Sequence, residues 1–205
     1  MSLTERVHDG YVTTRRVRVL ADHLAALVPQ GARVLDVGCG DGLLDRELLS
    51  RRPDLSIEGI DVLIRSDVHI QVTGFDGRAI PFGDRSFDAV LFVDVLHHTD
   101  DPFAVLSEGT RVARRAVVVK DHNLDGVLAG PTLRFMDRVG NARHGVRIPY
   151  NYWPRARWTD AFARLGLTVA AYRDRLGLYP SPASWVFERS LHFAARLERS
   201  GNGKG

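Results

Sequence analysis

The residues best placed to do chemistry begin with a glycine turn. Val34-Leu35-Asp36-Val37 reads as a short buried strand, and Gly38-Cys39-Gly40-Asp41-Gly42 as the tight turn that leads into a helix. Further along, Asp61 stands at the end of the next apolar run. Strand, glycine turn, helix and then an acid at the following strand end make a nucleoside-binding half-fold. Taken alone, Asp61 is as well explained by a strand-end turn. Four groups that can carry a proton lie at later strand ends, where open α/β sheets bind ligands: His97 and His98, then Asp121 and His122. Each has a plainer role open to it, the histidines as loop residues and Asp121 as a helix cap. Cys39 is the sole cysteine, so no internal disulfide forms. No His, Cys or carboxylate spacing suggests a metal site.

The elements that must position these groups alternate. Apolar spacing predicts a helix over 16–28, a strand over 33–37, a helix over 41–52 closed by Pro53, and a strand over 55–60. Residues 70–74 alternate like a strand, yet too few residues precede them for the usual helical crossover, so this strand belongs at an edge. A nearly unbroken apolar run predicts a central strand over 87–93. Thr99-Asp100-Asp101-Pro102 is a cap followed by proline, a helix start. Residues 116–119 form the fifth strand, ending at Lys120-Asp121-His122. Residues 123–153 break the pattern with two short helical pieces and an aromatic loop. Beyond them come a helix from Pro154, a strand over 167–172, a helical turn over 184–188 and a last strand over 191–197. The tail, 201–205, is expected to be disordered. Alternating units predict an α/β fold: a Rossmann-like, seven-stranded, mostly parallel sheet with helices on both faces and an antiparallel last strand. A helical and aromatic lid is inserted after strand five.

The glycine spacing decides which nucleoside. A dinucleotide fingerprint places a third glycine where Leu43 stands, which sets back a nicotinamide-dependent oxidoreductase. Together with Val34-Leu35-Asp36-Val37-Gly38-Cys39-Gly40-Asp41-Gly42, four pieces occur in order: Asp61, Phe75-Asp76-Gly77 before Ile80-Pro81-Phe82, Phe87-Asp88-Ala89-Val90, and Asp94-Val95-Leu96-His97-His98-Thr99-Asp100-Asp101-Pro102. From residue 31 to about 120 the chain thereby resembles the class I S-adenosylmethionine-dependent methyltransferases of the type 11 kind. It departs from them in the missing helix between strands two and three, and in Arg114-Arg115 before strand five.

The resemblance implies S-adenosylmethionine as methyl donor and S-adenosylhomocysteine as product; no metal is expected, since no residue spacing suggests a site for one. It implies that Asp36, Gly38, Cys39 and Gly40 cradle the methionine part, Cys39 through its backbone only. Asp61 would bind the ribose hydroxyls, Val62 would pack on the adenine, Asp76 and Gly77 would meet the adenine amino group, and Asp94 would close the cofactor site after strand four. Asp76-Gly77 is also a turn dipeptide in its own right. Tyr11, with Arg15 and Arg16, would fold over the cofactor and reach its carboxylate, or would simply start an exposed helix. Methyl transfer needs orientation and exclusion of water, with a base only for an acceptor that must lose a proton. His97, His98, Asp121 and His122 are the candidates. Over the acceptor, Tyr150, Tyr152 and Trp153 form a candidate aromatic wall and Arg143, His144 and Arg147 a candidate anion holder, the alternatives being a local mini-core for the aromatics and solvated surface for the arginines.

Bulk properties bound the partners. The chain has 205 residues, 44% of them hydrophobic, with 28 basic and 25 acidic residues for a net +3. Its basic residues are arginine except Lys120 and Lys204, and no basic block with interleaved aromatics stands out, so nucleic acid is not favoured. No signal-peptide core and no membrane-length apolar run appear. The expectation is a single cytoplasmic domain, monomer or homodimer, acting on a small-molecule acceptor. The rivals are methylation of RNA or protein, and a non-catalytic nucleotide-binding protein of the same fold.

Overall fold

The computed structural model describes residues 3–141 and 149–200, with side chains described over 14–139 and 149–200. In chain order the elements are α1 (Leu3–Leu27), β1 (Arg33–Val37), α2 (Leu43–Arg51), β2 (Ser56–Asp61), β3 (Val72–Gly74), β4 (Phe87–Val93), a 3-10 turn (Leu96–His98), α3 (Pro102–Val112), β5 (Ala113–His122), α4 (Ala129–Asn141), α5 (Arg155–Arg164), β6 (Leu167–Arg173), α6 (Ser184–Phe187) and β7 (His192–Arg199). No helix among the described residues is long and apolar enough to cross a membrane.

The seven strands form one sheet in the order β3-β2-β1-β4-β5-β7-β6. β1 through β5 run parallel, and β7 pairs antiparallel with both β5 and β6. This is the Rossmann-like arrangement, with an antiparallel last strand, expected from the alternating pattern. β3 is a three-residue edge strand joined to β2 without a helix, as the short connection required. Among its described residues the insertion holds one helix, α4, where two short pieces are expected. β5 is longer than expected and carries Lys120, Asp121 and His122 inside the ladder, opposite Ala194, Phe193 and His192.

Successive residues of a strand face opposite sides, and the core divides accordingly. On one side Leu35, Val37, Phe92, Val117 and Val119 pack with Leu106 of α3 and with Trp158 and Phe162 of α5. On the other side Val34, Leu91, Val118 and Ala194 pack with Leu20, Leu24 and Leu27 of α1 and Leu48 of α2. α3 starts as its sequence directs: the Asp101 carboxylate accepts from the N–H groups of Phe103 and Ala104, both at 3.1 Å, with Pro102 in the first turn. The C-terminal ends of β1, β2, β4 and β5 thus converge on one rim, where parallel sheets of this kind hold their ligands.

Candidate active site

Glycines shape the first wall. Gly38 has φ +75°, and a Cβ there would lie 2.5 Å from Cγ2 of Val95, so a side chain is excluded by both backbone and space. The Gly38 N–H donates to the Ile60 carbonyl at 2.7 Å, which ties the turn to β2. Gly40 donates its N–H to Oδ2 of Asp61 at 2.8 Å, while Oδ1 of Asp61 accepts from the Leu63 N–H at 2.9 Å. An ionised carboxylate offers about four acceptor positions, so Asp61 keeps capacity for two hydroxyls. Oδ1 of Asp76 accepts from the N–H groups of both Arg78 and Ala79, at 2.8 and 2.9 Å, leaving its Oδ2 to an outside donor. The same two hydrogen bonds hold the Asp76 carboxyl below its ordinary range.

These groups line one cavity of about 720 Å³. Gly38, Gly40, Asp61, Val62, Phe75, Asp76 and Gly77 occupy one end of its wall, and Asp94, His98, Thr99 and Pro149 belong to the wall beyond the ends of β4 and the 3-10 turn. The insertion returns over this second end. Asn151 donates its backbone N–H to the His97 carbonyl at 3.1 Å and its side-chain amide to the Thr99 carbonyl at 2.7 Å. S-adenosylmethionine suits these residues: the turn is open where a Cβ would block it, and two carboxylates keep free acceptor sites. The residues that would hold it are Gly38, Gly40, Asp61, Val62, Asp76 and Gly77.

Behind the wall runs a buried ionic network. Asp94 has φ +57° and faces the cavity; its carboxylate binds Nζ of Lys120 on one oxygen and the Arg16 guanidinium on the other. Burial alone would raise the Asp94 pKa, but the Lys120 and Arg16 charges outweigh it and hold it well below the usual range. Lys120 is fully buried and lies 3.5 Å from Nδ1 of His192; burial, only partly offset by Asp94, lowers its pKa. On the opposite face of β5, Oδ1 of Asp121 meets Nδ1 of His97 at 2.6 Å and accepts the His122 N–H at 2.8 Å. Nε2 of His97 lies 3.4 Å from Oδ2 of Asp137, which also receives the Tyr152 hydroxyl. Burial pulls the His97 pKa down, yet Asp121 and Asp137 prevail and set it at about 10. Burial, followed by the neighbouring His97, pushes His98 down to about 4.

The structure therefore brings eight of the expected residues to one cavity: Gly38, Gly40, Asp61, Val62, Asp76, Gly77, Asp94 and His98. The others lie elsewhere. His97, Asp121 and His122 are buried and do not reach the cavity wall, so of the four proton-carrying candidates His98 alone lines it. Trp153 is 2% exposed and packs on Trp158 at 4.8 Å; Tyr152 is buried against Asp137; Tyr150 is turned to solvent. Of the expected aromatic wall, Tyr152 packs with Leu133 and Leu191 and Trp153 packs on Trp158, so these two rings are core. Arg16 reaches Asp94 and is not on the cavity wall. The side chains of Tyr11 and His144, the arginines at 143 and 147, and the tail at 201–205 lie outside the described residues. Lys120, Asp137 and Pro149 complete the arrangement without having been singled out for it in the sequence. Only Lys120, a lysine among arginines at a strand end, carried a signal.

Asp36 and Cys39 turn inward as well. Sγ of Cys39 sits over Gly59, where a Cβ would come within 2.3 Å of it, and burial pushes its thiol pKa up. Asp36 points at Asp45 of α2, and both carboxyls are buried. Burial raises both, Asp36 well above the carboxylate range and Asp45 to about 7. Between pH ~4, the unfolded value, and pH about 7 the folded chain then holds more protons than the unfolded one. Stability from this pair consequently falls as pH rises through that window. Asp45→Asn should flatten this slope and raise the melting temperature at pH 7.5 by about 5 °C, taking roughly 2–4 °C per kcal/mol. Thermal unfolding of both proteins from pH 5 to 8 checks it; parallel curves would show the pair to be ionised.

Comparisons with known proteins bear on this site. A family model described as methionine biosynthesis protein MetW matches residues 18–124, just over half of the chain. The 27-O-demethylrifamycin SV methyltransferase of Amycolatopsis mediterranei is 30% identical over 135 residues, 54% of this chain and 48% of that protein. The tRNA U34 carboxymethyltransferase of Nautilia profundicola is 33% identical over 87 residues, 37% of this chain and 28% of that protein. The chain thus spans about half or less of the length of these relatives. Among solved structures, a chain from the Haloferax volcanii complex of the Trm112 methyltransferase activator with a methyltransferase superposes with a TM-score of 0.66 at 18% identity, covering 94% of this chain and 95% of that one. At that identity the superposition speaks for the fold.

Proposed function

The chain belongs to the MetW family, and from that premise we propose that it is a class I S-adenosylmethionine-dependent methyltransferase that methylates a small molecule seated at the His98 end of the cavity. The observation that carries this reading is the cavity itself. A single space of about 720 Å³ runs from Asp61 and Asp76 to Asp94, His98 and Pro149. That volume is ordinary for a donor and a compact acceptor side by side. The net charge of only +3 does not favour RNA as the acceptor.

Bound S-adenosylmethionine supplies a methyl group on a positively charged sulfur. The chain's own residues bind and orient. Asp61 takes ribose hydroxyls through the acceptor positions left over from Gly40 and Leu63. Asp76 offers Oδ2 to the adenine amino group, with Val62 and Phe75 as apolar neighbours of the ring. Asp94, kept ionised by Lys120 and Arg16, presents negative charge to the cationic methionine part. His98 presents an imidazole to the acceptor, and the segment from Pro149 to Asn151, anchored on the 3-10 turn, closes that end from water. Exclusion of water and alignment of the two partners supply most of the acceleration in such transfers.

The test is to incubate the protein with methyl-labelled S-adenosylmethionine and a cell extract divided into low-mass, RNA and protein fractions. Label should enter the low-mass fraction and fall about 100-fold with His98→Ala, the scale of a lost orienting or proton-accepting group. Label in RNA or protein alone would replace the acceptor class.

A further inference from the structure

His97, His98 and Asp137 come from distant parts of the chain, the first two from the 3-10 turn and the third from α4 in the insertion. Each offers one ligand atom, and these atoms all lie within 4.8 Å of one another. Nε2 of His97 and Nδ1 of His98 are both buried without a hydrogen-bond partner. Two imidazole nitrogens that make no hydrogen bond in one buried cluster, with only the Asp137 carboxylate near that of His97, are costly unless something fills the space between them.

Distances separate two explanations. Nε2 of His97 lies 3.4 Å from Oδ2 of Asp137. That is beyond the 2.7–3.2 Å typical of an N–H···O hydrogen bond. It matches the ligand-to-ligand edge of about 3.3 Å that follows from tetrahedral coordination with bonds of about 2.0–2.1 Å. The other nitrogen of His97 behaves differently: Nδ1 is 2.6 Å from Asp121, a hydrogen bond and too close for two ligands of one tetrahedral ion. The grouping of His97, Asp121 and His122 is therefore not a coordination sphere. Asp121 is instead the carboxylate that orients His97, and it is itself fixed by the His122 N–H. A histidine with one nitrogen on a carboxylate and the other facing a second histidine and an acid has the arrangement that metal-ligating histidines adopt.

We propose that Nε2 of His97, a ring nitrogen of His98 and the Asp137 carboxylate bind a divalent transition-metal ion of the zinc, cobalt or nickel class, at the acceptor end of the cavity. Two imidazoles and one carboxylate suit these ions over magnesium or calcium, which want oxygen. Three protein ligands leave a coordination position open. Since His98 also lines the cavity, that position adjoins the acceptor, and the ligand class it admits is an oxygen or nitrogen donor. The metal's role in holding the acceptor rests on the methyltransfer reading above; its binding does not.

The full chain, freed of metal by dialysis against a chelator, is titrated with cobalt(II) and followed by visible absorption. The expected result is a saturating band at one equivalent, displaced by zinc. Asp137→Asn and His98→Asn should each weaken binding about 100-fold or more, and Asp121→Asn about 10–100-fold through loss of orientation. His23→Ala, remote in α1, should leave it unchanged. No saturating band in the wild-type protein overturns the proposal without recourse to any variant. So does a band that survives intact in Asp137→Asn and His98→Asn proteins of native circular dichroism. Calorimetry with S-adenosylhomocysteine on the same metal-free preparation keeps the two readings apart: failure to bind it counts against the cofactor site alone.

Discussion

Lys120→Met should lower stability by about 3 kcal/mol, the lower end of what breaking a buried ion pair costs. At about 2–4 °C per kcal/mol that is roughly 6–12 °C in melting temperature. Lys120 is fully buried in β5, and its ammonium is bound to Asp94 with His192 nearby. Removing it leaves a carboxylate whose side chain is only 17% exposed. Asp94 retains Arg16 and an edge on the cavity, which is why the loss stays at the lower end. A second substitution, Asp94→Asn, should restore part of the loss in the Lys120→Met background, because the stranded charge goes with it. Differential scanning calorimetry of the single and double variants measures the coupling. A single-variant loss below about 1 kcal/mol would mean that the pair does not hold charge in the folded chain.

Asp61→Ala should weaken S-adenosylhomocysteine binding by about 10–100-fold, since hydrogen bonds to a charged group contribute about 1.5–3 kcal/mol. The carboxylate does two things at once. It receives the N–H groups of Gly40 and Leu63, which shapes the turn, and it keeps acceptor positions toward the cavity. Asp61→Asn separates them. The amide oxygen still accepts one backbone N–H, but the charge is gone, so affinity should fall between the wild-type and alanine values while the melting temperature changes less. Equilibrium dialysis of the three proteins supplies the affinities. Equal affinities would take Asp61 out of the cofactor site.

Much of this was legible in the chain before any coordinates. β1, the glycine turn and the start of α3 follow from local chemistry: an apolar run, glycines at positive φ, and an aspartate before proline. The edge position of β3 follows from a connection too short for a crossover helix. What stayed hidden depends on contacts between distant residues. Lys120-Asp121-His122 reads as the end of a strand, since three polar residues in succession rarely lie in a buried ladder; only the partnership with Asp94, His97 and β7 makes them affordable there. Neighbouring histidines at 97 and 98 look alike in sequence, and the 3-10 turn alone decides that one faces Asp121 and the other the cavity. Tyr152 and Trp153 could have walled a pocket or packed a core. Leu133 and Leu191 around Tyr152, and Trp158 against Trp153, made them core, and neighbours so far along the chain leave no periodic trace.

The central claim is that donor and acceptor share the cavity in one orientation, adenosine toward Asp76 and sulfur toward His98. The measurement that bears on it most directly is a crystal structure of the protein with S-adenosylhomocysteine. The adenine amino group should lie within hydrogen-bond reach of Asp76, the ribose on Asp61, and the sulfur on the side of Asp94 and His98 beneath Pro149. A product molecule bound with its adenine at the His98 end, or outside this cavity altogether, would contradict the account.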